Sequence, residues 1–152
     1  MNLEQKQKSS SSDSQKILVN PKDSQKILVN PKGTEEIYKS LQFSQAVRVG
    51  NMVWVSGQVG VDAHFNMGEG IEVQTRMAFQ NLKSVIEEAG GGLSDIVELV
   101  TYHTSMKGMK GFSKIKSEFI PNNYPAWTAV GVTELVLPGL LVEIRATVFL
   151  AT

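Results

Sequence analysis

The chain has 152 residues, 41% of them hydrophobic, which is enough for one sizeable core and too short for two comfortable domains. Fifteen basic and fifteen acidic residues cancel, so no global field draws the protein to nucleic acid or to an anionic membrane surface. The absence of cysteine excludes disulfides, thiol catalysis and thiolate metal sites.

The sequence also indicates where the protein is located and whether it binds a metal. No stretch approaches the roughly 20 apolar residues of a membrane helix, and the N-terminus is polar where a signal peptide has an apolar core. We therefore expect a cytoplasmic protein with no membrane partner. The two histidines, His64 and His103, have no carboxylate beside them at metal-ligand spacing, so we predict no metal site and structural roles for both.

The N-terminal region contains an internal repeat. Residues 1–12 are polar and low in complexity, and the ten residues DSQKILVNPK then occur twice, at 13–22 and 23–32. Each copy has an apolar run ended by Asn-Pro, and we expect the second copy to supply a short strand. We predict a disordered tail over 1–24 and a folded domain over 25–152. The first copy is then a spare segment that could pair with a sheet edge or a neighbouring subunit.

The folded region begins with a hairpin signal. Residues 46–49 and 52–56 are rich in β-branched and aromatic residues and are separated by Gly50-Asn51, which is typical of a tight turn. Residues 57–62 continue as an irregular or bulged strand because two glycines interrupt them.

The rest of the chain alternates helices and strands. Apolar residues at three- and four-residue steps predict a helix over 71–89, stopped by three glycines. A strand over 96–104 and a second helix over 107–120 follow, and two strands, over 126–134 and 140–150, complete the chain.

This element order predicts an α+β fold, with a mixed β-sheet and two helices packed on one face. The second face of such a sheet is bare, and monomers seldom expose a large apolar surface. We therefore expect association into a closed ring. The residues expected on the bare face are Val53, Val55, Val130, Val132, Leu141 and Val148.

One carboxylate stands out in the last two strands. Glu143 lies within Leu-Val-Glu-Ile, and a charge buried among such neighbours must be paired or protonated. Glu143 is thus a candidate functional residue.

Several motifs, in order, resemble the successive signatures of the Rid family, the reactive-intermediate deaminases. These proteins are also called YjgF-like and, in older naming, L-PSP endoribonucleases. The resemblance runs from about residue 37 to the C-terminus and implies a chorismate-mutase-like fold and a homotrimer with ligand clefts between subunits. The motifs are Phe43 to Asn51, Val53 to Gln58, Gln74-Thr75, Asn81 to Lys83, Pro125-Ala126 and Leu141 to Ile144.

The resemblance also implies a chemistry. The best-known members hydrolyse enamines and imines to a 2-keto acid and ammonia without a cofactor, which needs a cation for the substrate carboxylate, a water, and a carboxylate to orient that water. Active members carry an arginine directly after Pro-Ala, where this chain has Trp127. An indole cannot form the bidentate charged bond of arginine, so we expect weakened deamination of amino-acid-derived imino acids.

The site residues carried over from the resemblance divide by role. Glu143 is the expected catalytic residue, and no metal or cofactor is implied. Phe43 stands where a tyrosine is usual, and Ala129 where a small residue, often cysteine, is usual. The expected ligand-binding residues are Phe43, Ser56, Gly57, Trp127 and Ala129.

Structural roles compete with these functional ones. Arg48 or Arg145 could replace the missing cation, but Arg145 follows Glu143 by two and could equally form a structural ion pair with it. Trp127 is either a pocket wall or an anchor of the core or an interface. Phe43 is better explained by packing than by catalysis.

Three functions remain open at this level. The first is a divergent hydrolase that binds a small metabolite in an intersubunit cleft, with Glu143 orienting water. The second is a non-catalytic small-molecule binder or metabolic sensor that uses the same cleft. Ribonuclease activity ranks last, because the chain lacks a histidine pair, a metal cluster and a strongly basic groove.

Overall fold

A computed structural model describes residues 25–151 of the chain. They form one six-stranded mixed sheet in the order β1-β2-β3-β6-β4-β5, with helices on one face, which confirms the predicted α+β fold. The predicted tail over 1–24 lies outside the described residues. In chain order the elements are β1 (Ile27–Val29), α1 (Glu35–Leu41), β2 (Ala46–Val49), β3 (Met52–Val59), α2 (Ile71–Glu88), β4 (Ile96–His103), α3 (Met109–Phe119), β5 (Ala126–Gly131) and β6 (Val142–Phe149).

The sheet is antiparallel except at one edge. β2 and β3 form the predicted hairpin, with Val49 paired to Met52 across Gly50-Asn51. β6 lies in the middle and pairs antiparallel with β3 on one side and β4 on the other. β5 runs parallel to β4, because α3 provides the crossover connection that parallel strands require.

The core lies between the sheet and the helices α2 and α3. Phe79 of α2 is fully buried, and its ring stacks on Phe119 at 5.1 Å between centroids and lies 6.1 Å from Phe112. These aromatic contacts join the two helices. Among residues 25–151, no helix has the length and apolar character needed to cross a membrane.

The short helix α1 has no counterpart in the sequence prediction. None of its seven residues is buried, and Ile37, Tyr38 and Leu41 span only about two turns, which is too short a segment for apolar periodicity to predict a helix. Gln42 ends the helix in the left-handed conformation, at φ 58°, and the chain then turns into Phe43 and β2.

The prediction of the bare face is partly wrong. Val53, Val55 and Val148 point to the helices and are buried in the core, whereas Val130 does lie on the bare face. Both sets of alternating residues in β3 are apolar, so a period of two could not tell which set the helices would cover. The large apolar residues that the bare face exposes are Leu28, Val49, Trp54 and Phe149.

Candidate functional site

The predicted site residues form two groups on opposite faces of the sheet. Trp127 pairs with Leu99, and Leu99 pairs with Ala146, both of which are buried against the helices. Glu143 is three residues from Ala146 on the same strand and therefore points to the bare face. A single chain thus cannot bring Trp127 and Glu143 into one cleft.

The first group is built around Glu143 and a bulge in β3. The register between β3 and β6 shifts between Val55 and Gln58, which places Gly57 beneath the Glu143 side chain. A β-carbon on Gly57 would overlap the Glu143 carboxylate, so only glycine leaves room for it. The carboxyl is half-buried, and burial raises its pKa above the ordinary value.

The structural ion pair between Glu143 and Arg145 is not formed. Arg145 is exposed on the same face, but no salt bridge joins the two in the part of the chain that the structure describes. Glu143 thus combines a raised pKa with the lack of a cation partner among residues 25–151, which is an arrangement suited to a general base.

Ser56 adjoins this group, and its hydrogen bonds lead to the segment that carries Phe43. The Ser56 hydroxyl donates to the carbonyl oxygen of Ser44 at 2.7 Å, and the Ser56 amide donates to Gln45 at 2.9 Å. The hydroxyl proton is thus committed to the backbone, which ties the bulge to the segment that carries Phe43. Phe43 exposes 38% of its surface, so its ring is not a core residue.

The second group is built around Trp127 on β5, an edge strand. Its indole Nε1 donates to Thr101 Oγ1 at 2.9 Å, and its ring lies 5.8 Å from that of Phe112. Trp127 as a whole keeps 38% of its surface exposed, so it is held by these contacts and remains open to solvent. Ala129 lies two residues further along the same face and is exposed.

His103 is linked to this group through Thr101. It is fully buried, and its Nε2 lies 2.7 Å from Thr101 Oγ1, while Nδ1 has no partner among the described residues. Burial lowers the pKa of His103, so the ring is neutral. His103 therefore lies in a strand as predicted, but only one of its ring nitrogens has a hydrogen-bond partner among the described residues.

Lys116 is a member of the second group that the sequence analysis missed. Its Nζ lies 4.5 Å from the centroid of the Trp127 ring and 5.7 Å from that of Tyr124. The signal was its position four residues after Phe112, at the margin of the apolar stripe of α3. Burial lowers the pKa of the Lys116 ammonium.

The other candidate cations lie elsewhere. The Arg48 side chain donates from Nε to the carbonyl of Gly50 at 2.8 Å and from a terminal nitrogen to that of Ala89 at 3.1 Å. Arg145 is on the face of Glu143. Neither arginine therefore stands beside Trp127. Within residues 25–151, no group of three or more metal-ligating side chains is found.

Known proteins resemble this chain along most of its length. The RutC family protein YjgH of Escherichia coli (strain K12) is 36% identical over 101 residues, covering 65% of this chain and 77% of that protein. The 2-iminobutanoate/2-iminopropanoate deaminase of Dermatophagoides farinae is 37% identical over 95 residues, covering 61% of this chain and 74% of that protein. A solved structure of protein YjgH matches with a TM-score of 0.76 and 31% identity, covering 84% of this chain and 98% of that one.

A family model described as endoribonuclease L-PSP matches residues 33–150, which include both site groups. The chain therefore belongs to this family, the Rid or YjgF-like family whose motifs it carries.

Proposed function

We propose that the protein binds a small metabolite in a cleft between two copies of the chain and hydrolyses an enamine or imine there, with Glu143 orienting the water. The observation that carries this proposal is the half-buried Glu143 carboxylate, which rests on Gly57 and has a raised pKa and no ion-pair partner in the described part of the chain. The deaminase of Dermatophagoides farinae supports the reaction class by similarity.

The reaction needs a water molecule and a base that accepts a proton from it. The enamine first tautomerises to the imine, and the oxygen of the water then bonds to the imine carbon while Glu143 accepts a proton from it. That proton passes to the nitrogen and gives a carbinolamine. Its hydroxyl proton then moves to the nitrogen while the oxygen forms the C=O bond, so the C–N bond breaks and ammonia leaves a ketone behind. A carboxylate whose pKa is raised towards the pH of the reaction is a better base for this step than an exposed carboxylate with an ordinary pKa.

A second copy of the chain is part of the proposal because the two groups face opposite ways. A ligand that contacts Trp127 of one chain and Glu143 of another would lie between copies, as expected of a ring-shaped homotrimer. The bare face that carries Glu143 would then be covered, and exclusion of water would strengthen the electrostatic interactions at the site.

The test follows keto-acid release from enzymatically generated 2-aminoacrylate and a panel of less acidic and aromatic imines. We expect the wild type to exceed the uncatalysed rate and Glu143→Gln to lose about 100-fold of that excess. Glu98→Gln is the matched control, because Glu98 is an exposed glutamate on the same face of the sheet. Rates equal to the protein-free control across the panel would refute the hydrolase.

A non-catalytic binder is the second candidate, favoured by Trp127 at the position where active members carry an arginine. Its signature would be saturable binding of a metabolite without turnover. The same panel separates the two, since binding by calorimetry with no keto-acid release would favour the binder.

A further inference from the structure

Lys116 occupies an unusual position for a surface lysine. It is partly buried on α3, with its ammonium against the rings of Trp127 and Tyr124, and its Nζ makes no hydrogen bond to any residue of the described chain. All three of its N–H donors therefore lack an acceptor among residues 25–151. A cation–π contact stabilises an exposed ammonium by only about 0.5–1 kcal/mol and does not replace an anionic partner.

The carboxylates near this helix are already committed to other cations. Glu118, the one acid within α3, pairs with Arg76 at 2.8 Å. Glu72 pairs with Lys114 at 3.3 Å. No described carboxylate lies within ion-pair distance of Lys116, so its charge is available to a bound anion.

The aromatic residues around Lys116 give the position a shape as well as a charge. Trp127 is held by its hydrogen bond to Thr101, and the Tyr124 hydroxyl donates to the carbonyl of Pro121 at 3.2 Å. Tyr124 nevertheless exposes 70% of its surface, and Trp127 exposes 38%. Two oriented rings with open surface beside one ammonium suit a planar anion.

We infer that Lys116 anchors the carboxylate of the ligand, and that the planar, unsaturated body of the ligand lies against Trp127 and Tyr124. Lys116 then takes the role of binding cation for which the sequence offers Arg48 and Arg145. This inference deepens the proposed function and rests on it for the nature of the ligand. The substrates would then be planar monocarboxylates and not uncharged imines.

The experiment uses benzoate as a stable planar carboxylate and benzamide as its uncharged counterpart. The chain has two tryptophans, so a Trp54→Phe variant assigns the indole N–H signal of Trp127 in a ¹H–¹⁵N correlation spectrum. We expect benzoate to shift this signal saturably and benzamide to bind at least about tenfold more weakly. Lys116→Met should weaken benzoate binding by about tenfold or more, and Lys116→Arg should keep it within about threefold.

Lys114→Met is the matched control, because Lys114 lies on the same helix, is exposed and is paired with Glu72; benzoate binding should be unchanged. Thermal melting checks that each variant is folded. The inference is overturned if benzoate causes no saturable shift, if benzamide binds equally well, or if Lys116→Met binds benzoate like the wild type. Binding needs no turnover, so this titration tests the role of Lys116 even if the proposed hydrolysis fails.

Discussion

At Gly57 the Glu143 carboxylate occupies the space that a β-carbon would fill. Gly57→Ala should therefore displace the carboxylate or distort the bulge. We expect a loss of about 1–3 kcal/mol in the free energy of unfolding, from overpacking, and a fall in imine hydrolysis of at least about tenfold. Urea denaturation and the keto-acid assay measure the two effects.

The control for this substitution is Gly92→Ala. Gly92 has an extended backbone at φ −145°, and a β-carbon there meets no atom within 4 Å. Stability and hydrolysis should both stay at the wild-type level. If Gly57→Ala behaves like Gly92→Ala, the contact between Gly57 and Glu143 does not position the carboxylate.

The raised pKa of Glu143 predicts a pH-dependent contribution to stability. A folded-state pKa above the unfolded value of about 4.5 means that the folded state holds its proton more tightly. The resulting stabilisation is complete below pH 4.5 and is lost as pH rises through the folded pKa. At pH 8 Glu143→Gln should therefore melt at a higher temperature than the wild type, and the difference should shrink toward pH 4.5. A difference that grows as pH falls would contradict this.

At the scale of elements, the Gln74 side chain links α2 by hydrogen bonds to the loops that precede α2 and β6. Its amide nitrogen donates to the carbonyls of Gly68 and Gly139 at 3.0 and 2.9 Å, and its amide oxygen accepts from the Leu141 N–H at 2.8 Å. Gln74→Ala leaves these three backbone groups without a partner. We expect a loss of about 2–3 kcal/mol in the free energy of unfolding, measured with urea.

The comparison for Gln74 is Gln80→Ala on the same helix. Gln80 is exposed, so its truncation should change the free energy of unfolding by no more than about 0.5 kcal/mol. Equal effects of the two substitutions would mean that the buried amide contributes little to joining the loops.

Element positions followed from local patterns, whereas the faces of the strands did not. The glycines at 50 and at 90–92 and the apolar period of α2 fixed the hairpin and the long helix to within a residue or two. The choice of covered face depends on where α2 and α3 pack, which is a tertiary property. The sequence therefore could not show that Val53 faces the helices and that Trp54 faces the bare side of the sheet.

The sequence named candidate residues for the site and not their arrangement. Resemblance supplied Glu143, Gly57 and Trp127, but their placement on opposite faces required the strand registers. Lys116 is one of four lysines between residues 107 and 116, and its proximity to Trp127 arises from the packing of α3 on β5. A charge count gives no signal for such a contact.

For the whole molecule, the bare sheet face is the surface that most needs a partner. It exposes Trp54, Phe149 and Val49 together on neighbouring strands, and contiguous apolar patches are uncommon on monomers. We expect a homotrimer, with a solution mass near three times the 16.7 kDa of one chain. A mass near one chain would contradict the ring.

A charge placed on that face should break the assembly. Trp54→Glu should lower the mass measured by light scattering toward that of one chain, because the buried carboxylate would have no partner at the interface. Val73→Glu, an exposed position on α2 in the helix layer, is the control and should leave the mass unchanged. Equal masses for the wild type and Trp54→Glu would indicate that this face is not the interface.

The division of the site between two faces has a genetic consequence. Each cleft would take Glu143 from one chain and the Trp127 group from its neighbour, so a chain defective in one group can still complete a cleft with a chain defective in the other. If equal amounts of Glu143→Gln and Lys116→Met chains assemble at random, about a quarter of the clefts receive both intact groups. Two inactive alleles could therefore complement each other within one ring.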